Sequence, residues 1–301
     1  MKLLLVLNPG SRSGRGRRRW AFWMAGLRRA GLPFETAETR SLRHAREIAR
    51  AARAFDAVVA VGGDGTINAV LAGLADARVA GQRMGVLYTG TSPDFCRFHG
   101  IPVDPVAALD TLRAGHACKV DVAAIRYHGP DGPADSWFGC SCNIGMGAAV
   151  AAAANRWRRR VGDAVGTALA VLRAVTVSKP LDMDVEIDGG SHVLRRTNHL
   201  VVLKNPWIAS GLRLDVDRKP DDGRLTVMAV TGRSRLGLCA LLPAFYSGAA
   251  VRAGGIFLRE GARVSVRASA LCELEFDGDP RGRLPAEVEV KPRWLELISA
   301  A

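Results

Sequence analysis

What this chain lacks narrows it before any motif is considered. Its six cysteines, at positions 96, 118, 140, 142, 239 and 272, form no paired framework, and no histidine stands at ligand spacing from Cys140 or Cys142. Neither a structural zinc site nor a disulfide scaffold is indicated, so a reducing cytoplasm is the default setting. No repeat of fixed period is visible. Two uncharged stretches invite a membrane reading, but 136–155 is broken by glycine, serine and asparagine, and 236–251 is short and contains Pro243. No transmembrane helix is expected. The opening Met1-Lys2-Leu3-Leu4-Leu5-Val6-Leu7 has too short an apolar core for a signal peptide, and Asn8-Pro9-Gly10 stands where a cleavage site would be. It reads as a buried strand. Aromatic residues make up only 6% of the chain, and none interleaves a basic strand, so a specific nucleic-acid partner is not expected.

Acidic residues are also scarce relative to basic ones, 29 against 42, which leaves a net charge of +13. Arginine at 12–19 and 156–160 carries much of it, and nucleotide phosphates or an anionic membrane face would complement such a surface. With 301 residues and 48% hydrophobic residues, two domains with sizeable cores are within reach.

The first third alternates strand and helix. Strands are expected at Lys2–Leu7, Phe34–Thr39, Ala57–Val61 and Met84–Tyr88, with helices near 17–30, 44–54 and 106–113. That alternation predicts an α/β domain over 1–119, a parallel sheet with helices on both faces, whose ligands bind outside the carboxyl ends of the strands. From Val120 short β-like runs separated by Asp/Gly turns predict a mostly antiparallel domain over 120–291. Segment 292–301 is a further strand.

Between the strand ending at Val61 and an expected helix beginning at Ile67 lies Gly62-Gly63-Asp64-Gly65-Thr66. A glycine-rich turn entering a helix N-terminus lets main-chain amides approach an anion, and the helix dipole adds attraction. Asp64 would repel phosphates unless Mg²⁺ lies between them. A plain tight turn remains the alternative reading of this motif taken alone.

Seven blocks in order resemble the bacterial diacylglycerol kinase and lipid kinase family, which shares its glycine turn with sphingosine, ceramide and NAD kinases. They are Asn8-Pro9 with Ser13-Gly14; Thr39; Gly62–Asn68; Gly90-Thr91-Ser92-Pro93-Asp94-Phe95-Cys96-Arg97; Asn143-Ile144-Gly145-Met146-Gly147; Pro220-Asp221-Asp222-Gly223-Arg224-Leu225; and Phe276-Asp277-Gly278-Asp279-Pro280 with Leu284-Pro285. The resemblance spans nearly the whole chain. It implies a NAD-kinase-like nucleotide domain, a β-sandwich-like second domain with catalysis between the two, and a last strand (292–301) that returns to the first.

The resemblance further implies transfer of the γ-phosphate of ATP to the hydroxyl of a neutral lipid such as diacylglycerol, with Mg²⁺. Asn8, Thr39, Gly62, Gly63, Asp64, Gly65, Thr66, Ile67, Asn68 and Thr91 would contact the nucleotide. Asp279 would take the acceptor's proton, with Asp277 orienting or sharing that site and Asp64 acting through the metal. Asp222, with the carbonyls of Lys219 and Arg224, would hold a structural Mg²⁺. Arg12, Arg15 and Arg97 are candidate phosphate clamps, and 146–154 with Trp157 and Arg158–Arg160 could line a greasy cleft with a basic rim. A protein in the cytoplasm, peripheral to the inner face of an anionic membrane, fits, and a homodimer is compatible.

Three departures from the pattern matter. Asp279 replaces a glutamate and shortens its reach by one methylene. Pro93 replaces an asparagine and removes an N–H. Ala69 replaces an acidic residue. The competing expectations are an NAD kinase-like or other ATP phosphotransferase, and a nucleotide- or membrane-binding protein that has lost catalysis.

Overall fold

The computed structural model describes residues 1–161, 163–177, 179–208 and 212–300. The chain divides into unit 1, Met1–Val122 with Pro292–Ala301, and unit 2, Ala123–Lys291.

Unit 1 runs β1 (Leu3–Leu7), a 3-10 helix (Ser11–Arg19), α1 (Trp20–Arg29), β2 (Phe34–Glu38), α2 (Leu42–Ala51), β3 (Ala57–Gly62), α3 (Asp64–Ala77), β4 (Arg83–Tyr88), α4 (Asp94–Phe98), α5 (Pro105–Ala114) and the start of β5 (Ala117–Gly129). β1 pairs in parallel with both β2 and β3, and β3 pairs in parallel with β4. The uniformly apolar sequences of β1 and β3 follow from this, since central parallel strands are covered on both faces. Every residue of both is buried. Among the described residues β2 pairs with β1 alone, and it leaves Glu35, Thr36 and Glu38 exposed, as an edge strand does. Residues 292–298 add a fifth parallel strand, with Glu296 opposite Arg83 and Leu297 opposite Met84. The indole N–H of Trp294 donates to the Ala75 carbonyl at 3.3 Å, and the Arg78 guanidinium stacks 3.8 Å above its ring.

Local signals set the helix ends. Asp104 accepts from the Val106 and Ala107 amides, both at 3.0 Å, Pro105 opens α5, and Gly115 closes it at φ +67°. α2 and α3 approach so closely that a Cβ on Gly73 would lie 2.4 Å from the Arg46 carbonyl oxygen and 2.7 Å from the Ala49 Cβ. Backbone cannot yield there as a flexible side chain can, so Gly73→Ala is expected to lose about 2 kcal/mol of stability. Urea unfolding monitored by circular dichroism would show it as a lower midpoint.

Unit 2 continues β5 and adds β6 (Gly132–Phe138), β7 (Ser141–Gly145), α6 (Met146–Val161), α7 (Asp163–Val177), β8 (Leu181–Ile187), β9 (Gly190–Leu203), β10 (Trp207–Ile208), β11 (Leu212–Arg213), β12 (Leu225–Thr231), α8 (Arg235–Ser247), β13 (Ile256–Gly261), β14 (Arg263–Ala268), β15 (Glu273–Phe276) and the first part of β16 (Asp279–Ile298). Six antiparallel strands pair in a closed circuit: β7 with β15, β15 with β16, β16 with β14, β14 with β8, β8 with β9, and β9 back to β7. Closure works because β9 and β16 are long enough to pair with different partners at their two ends. Phe138, Ile144, Met183, Leu200, Val227 and Phe276 are among the side chains that fill this unit's apolar core. Among the described residues no helix is long and apolar enough to cross a membrane.

Candidate functional site

The glycine motif is the end of a strand and the start of a helix, with no free turn between them. Gly62 closes β3, Gly63 caps α3 in an extended conformation, and Asp64 is already its first helical residue. The helix thus begins three residues before the expected Ile67. An acidic residue is favoured there, because its charge faces the positive end of the helix dipole. Thr66 and Ile67 donate their amides to the Gly63 carbonyl at 2.9 and 3.0 Å. The amide of Gly65 lies in the first turn, where helical geometry supplies no acceptor.

The glycines also serve packing. A Cβ on Gly62 would lie 2.3 Å from the Thr66 hydroxyl, and one on Gly90 would lie 2.7 Å from the Gly63 Cα. Their absence lets the loop after β4 lie directly on the junction of β3 and α3. Asn8, just beyond β1, donates through Nδ2 to Thr66 Oγ1 at 2.7 Å, and the Thr89 amide donates to the Gly62 carbonyl at 2.8 Å. The Thr39 amide reaches the Leu7 carbonyl at 2.9 Å. Asn8, Thr39, the 62–66 segment and Gly90 therefore gather at the carboxyl ends of the parallel strands. Thr91 is exposed beside them, while Thr39, Thr66, Ile67 and Asn68 are buried.

Tyr88, which the sequence reading missed, donates its hydroxyl to Asp64 Oδ2 at 3.0 Å. Burial, with the Asp64 charge adding to it, pushes this phenol far above its ordinary range and keeps it a donor. Asp64 thereby presents an oriented, half-buried carboxylate at a helix N-terminus. Such hard oxygen chemistry fits Mg²⁺ shared with phosphates. Arg97, a candidate clamp, pairs with Asp94 at 3.3 Å within α4, and the Ser92 hydroxyl donates to the same Asp94 at 2.9 Å. The side chains of Arg12 and Arg15, like those of Arg156 and Arg158–Arg160, lie outside the described residues.

In unit 2 the acidic block is built around Asp277. Its carboxylate accepts the amides of Gly139, Cys140 and Ser141 at 2.8, 2.9 and 3.0 Å, from a backbone position at φ +50°. Burial pushes its pKa up to about 6, and the three amides pull it back. Asp277 thus pins the chain ahead of β7. Asp279 opens β16 opposite Phe276; its side chain lies outside the described residues. Glu275, which sequence reasoning also passed over, accepts from Asn143 Nδ2 and from the Gly278 amide, the latter at 2.8 Å.

Asn143 to Gly147 end β7 and open α6, and His199 on β9 packs against them. Its Nδ1 lies 3.3 Å from both the Gly147 amide and the Ile144 carbonyl, and a Cβ on Gly147 would strike its ring. Burial pushes His199 down to about 4, partly opposed by the Ile144 carbonyl. Because the folded value lies below the unfolded one, this stability is full above pH 6.5 and is lost as pH falls toward 4. The stability advantage of the native chain over His199→Gln should shrink by about 3 kcal/mol between pH 7 and pH 4. Urea titrations of both proteins at three pH values would measure it.

At the Pro220–Leu225 turn, Asp222 accepts the amides of Lys219 and Arg224, each at 3.0 Å. The ammonium of Lys204, a fully buried side chain just past β9, reaches Asp222 Oδ1 at 2.7 Å, the Lys219 carbonyl at 3.0 Å and the Arg224 carbonyl at 3.4 Å. Burial pushes Asp222 up, but Lys204 and the two amides hold it below the usual carboxylate range.

Residues 2–125 match the model of the diacylglycerol kinase catalytic domain, and residues 140–299 match the YegS C-terminal NAD kinase beta sandwich-like domain. The chain belongs to the diacylglycerol kinase family. Among its curated relatives, the diacylglycerol kinase of Mycobacterium tuberculosis is 27% identical over 83% of this chain and 79% of its own. That of Staphylococcus aureus is 25% identical over 98% of this chain and 91% of its own. A crystal structure of a Bacillus anthracis diacylglycerol kinase superposes with a TM-score of 0.73 at 17% identity, covering 99% of this chain and 97% of that one. Yeast NADH kinase shares the fold more distantly, with a TM-score of 0.55 at 11% identity over 100% of this chain and 84% of its own. The catalytic-domain model and the sandwich-like-domain model together account for nearly the whole chain.

Proposed function

We propose that this family member is an ATP-dependent lipid kinase acting on the hydroxyl of a neutral lipid of the diacylglycerol class. The observation that carries the reading is the convergence of Asn8, Gly62–Thr66 and Gly90 at the carboxyl ends of β1, β3 and β4, with Asp64 held by Tyr88 at the mouth of α3. In this reading the N-terminal turn of α3 receives the phosphate tail, Asn8 and Thr66 hold the turn's shape, and Thr39 and Thr91 flank the nucleotide. A Mg²⁺ bound by Asp64 and the phosphates would neutralise charge on the transferred group.

The acceptor's oxygen forms a bond to the γ-phosphorus as the bond to the ADP oxygen breaks, and Asp279 takes the hydroxyl proton. Asp277, committed to three amides, is the positioning residue of that pair. The lipid reaches the enzyme from a membrane surface. Leu172 and Val177 on α7 and Leu236 on α8 are large apolar side chains left exposed, and Arg173 and Arg235 beside them suit anionic headgroups.

The test is label transfer from γ-labelled ATP to a panel of diacylglycerol, monoacylglycerol, ceramide, sphingoid base and NAD, with products separated by thin-layer chromatography. Label in a glycerolipid is the expected result. Label in NAD alone, or ATP binding with no acceptor labelled, would overturn it.

A further inference from the structure

We infer that the ammonium of Lys204 stands in for the divalent cation at the 219–224 turn, so that this turn is held without metal. The resemblance gives the Asp222 carboxylate and the carbonyls of Lys219 and Arg224 to a structural Mg²⁺. In this chain those same three oxygens surround Lys204 Nζ at 2.7, 3.0 and 3.4 Å. An ammonium has three donors for three acceptors. The spacing is that of N–H···O hydrogen bonds, whereas Mg²⁺ draws oxygens to about 2.1 Å and Ca²⁺ to about 2.3–2.6 Å. The oxygen ring is sized for nitrogen.

Charge points the same way. Arg218, its side chain nearly buried, approaches Asp222 Oδ2 at 3.4 Å and Glu260 at 3.1 Å, and Arg224 also reaches Glu260 at 3.4 Å. A divalent ion here would face the Lys204 ammonium and the Arg218 guanidinium at close range, both already paired with the Asp222 carboxylate that would bind it. Lys204 enters from the end of an apolar strand with no exposed surface, so it cannot swing out to solvent to make room. Among the described residues no group of three or more His, Cys, Asp and Glu side chains could hold a metal here or elsewhere.

Thermal unfolding and metal analysis in the absence of nucleotide test this. The wild-type midpoint should be the same in EDTA as in millimolar Mg²⁺ or Ca²⁺. Lys204→Ala, which removes the ammonium and keeps the oxygens, should unfold at a lower temperature in EDTA and recover by several degrees, saturably, as Ca²⁺ is added. Adding Asp222→Asn should abolish the recovery. If Lys204→Ala does not fold, metal content decides: wild type dialysed against Mn²⁺ should hold no more ion than Asp222→Asn. One equivalent of ion bound by wild type and missing from Asp222→Asn, or a wild-type midpoint that drops on chelation, overturns the inference.

Discussion

Asp64→Asn should lower kcat for phosphoryl transfer by on the order of 10³-fold, about 4 kcal/mol of transition-state stabilisation, while leaving the fold intact. The carboxylate is the first residue of α3 and is oriented by the Tyr88 hydroxyl at 3.0 Å. An asparagine keeps the volume and an acceptor oxygen for Tyr88, so stability should change little, although the favourable charge at the helix N-terminus is lost. What disappears is the negative oxygen that a phosphate-bound cation requires. Tyr88→Phe separates orientation from charge, and its effect on kcat should stay within about a hundredfold, the scale of one hydrogen bond to a charged group. Steady-state kinetics with labelled ATP, together with the unfolding midpoint of each variant, would check the pair. Equal activity in Asp64→Asn and wild type would remove Asp64 from the mechanism.

Asp279→Asn should cost roughly 10²–10⁴-fold in kcat with KM for ATP nearly unchanged, as expected when a proton acceptor is lost and the nucleotide site is untouched. Asp279→Glu restores the longer side chain of the family's pattern, so it should retain activity or raise it. That contrast isolates proton transfer from general damage to the turn. Asp277→Asn is the control of the opposite kind. Its carboxylate holds three amides at 2.8 to 3.0 Å, and an amide side chain cannot accept all three in the same geometry. Its principal effect should be on stability. If Asp279→Asn were fully active, another group would have to accept the proton.

Much of unit 1 was legible because its signals are local. The apolar runs of β1 and β3 can only be covered strands, and Asp104-Pro105 with Gly115 bounds α5. The start of α3 is not legible to the residue, because glycine and threonine in sequence resemble a turn. In space Gly63 is a cap and Asp64 an apt first residue. In sequence the glycines suggest room for a phosphate, whereas in space Gly62 and Gly90 also make room for Thr66 and for each other's loops.

Tyr88 and Lys204 were missed for a common reason. Each acts through a partner 15 to 24 residues away, and neither belongs to a periodic pattern. A lone lysine closing the apolar run Leu200–Leu203 was the one available hint. The closed strand circuit of unit 2 was likewise beyond local reading, since it depends on which distant strands β9 and β16 meet at each end.

Unit 2 is one continuous stretch of chain, while unit 1 needs residues 292–298 to cover the edge of β4 and to seat Trp294 against Ala75. During translation the order of completion is therefore inverted. The first four strands of unit 1 are made first, yet they must wait, with an open sheet edge, until unit 2 has left the ribosome.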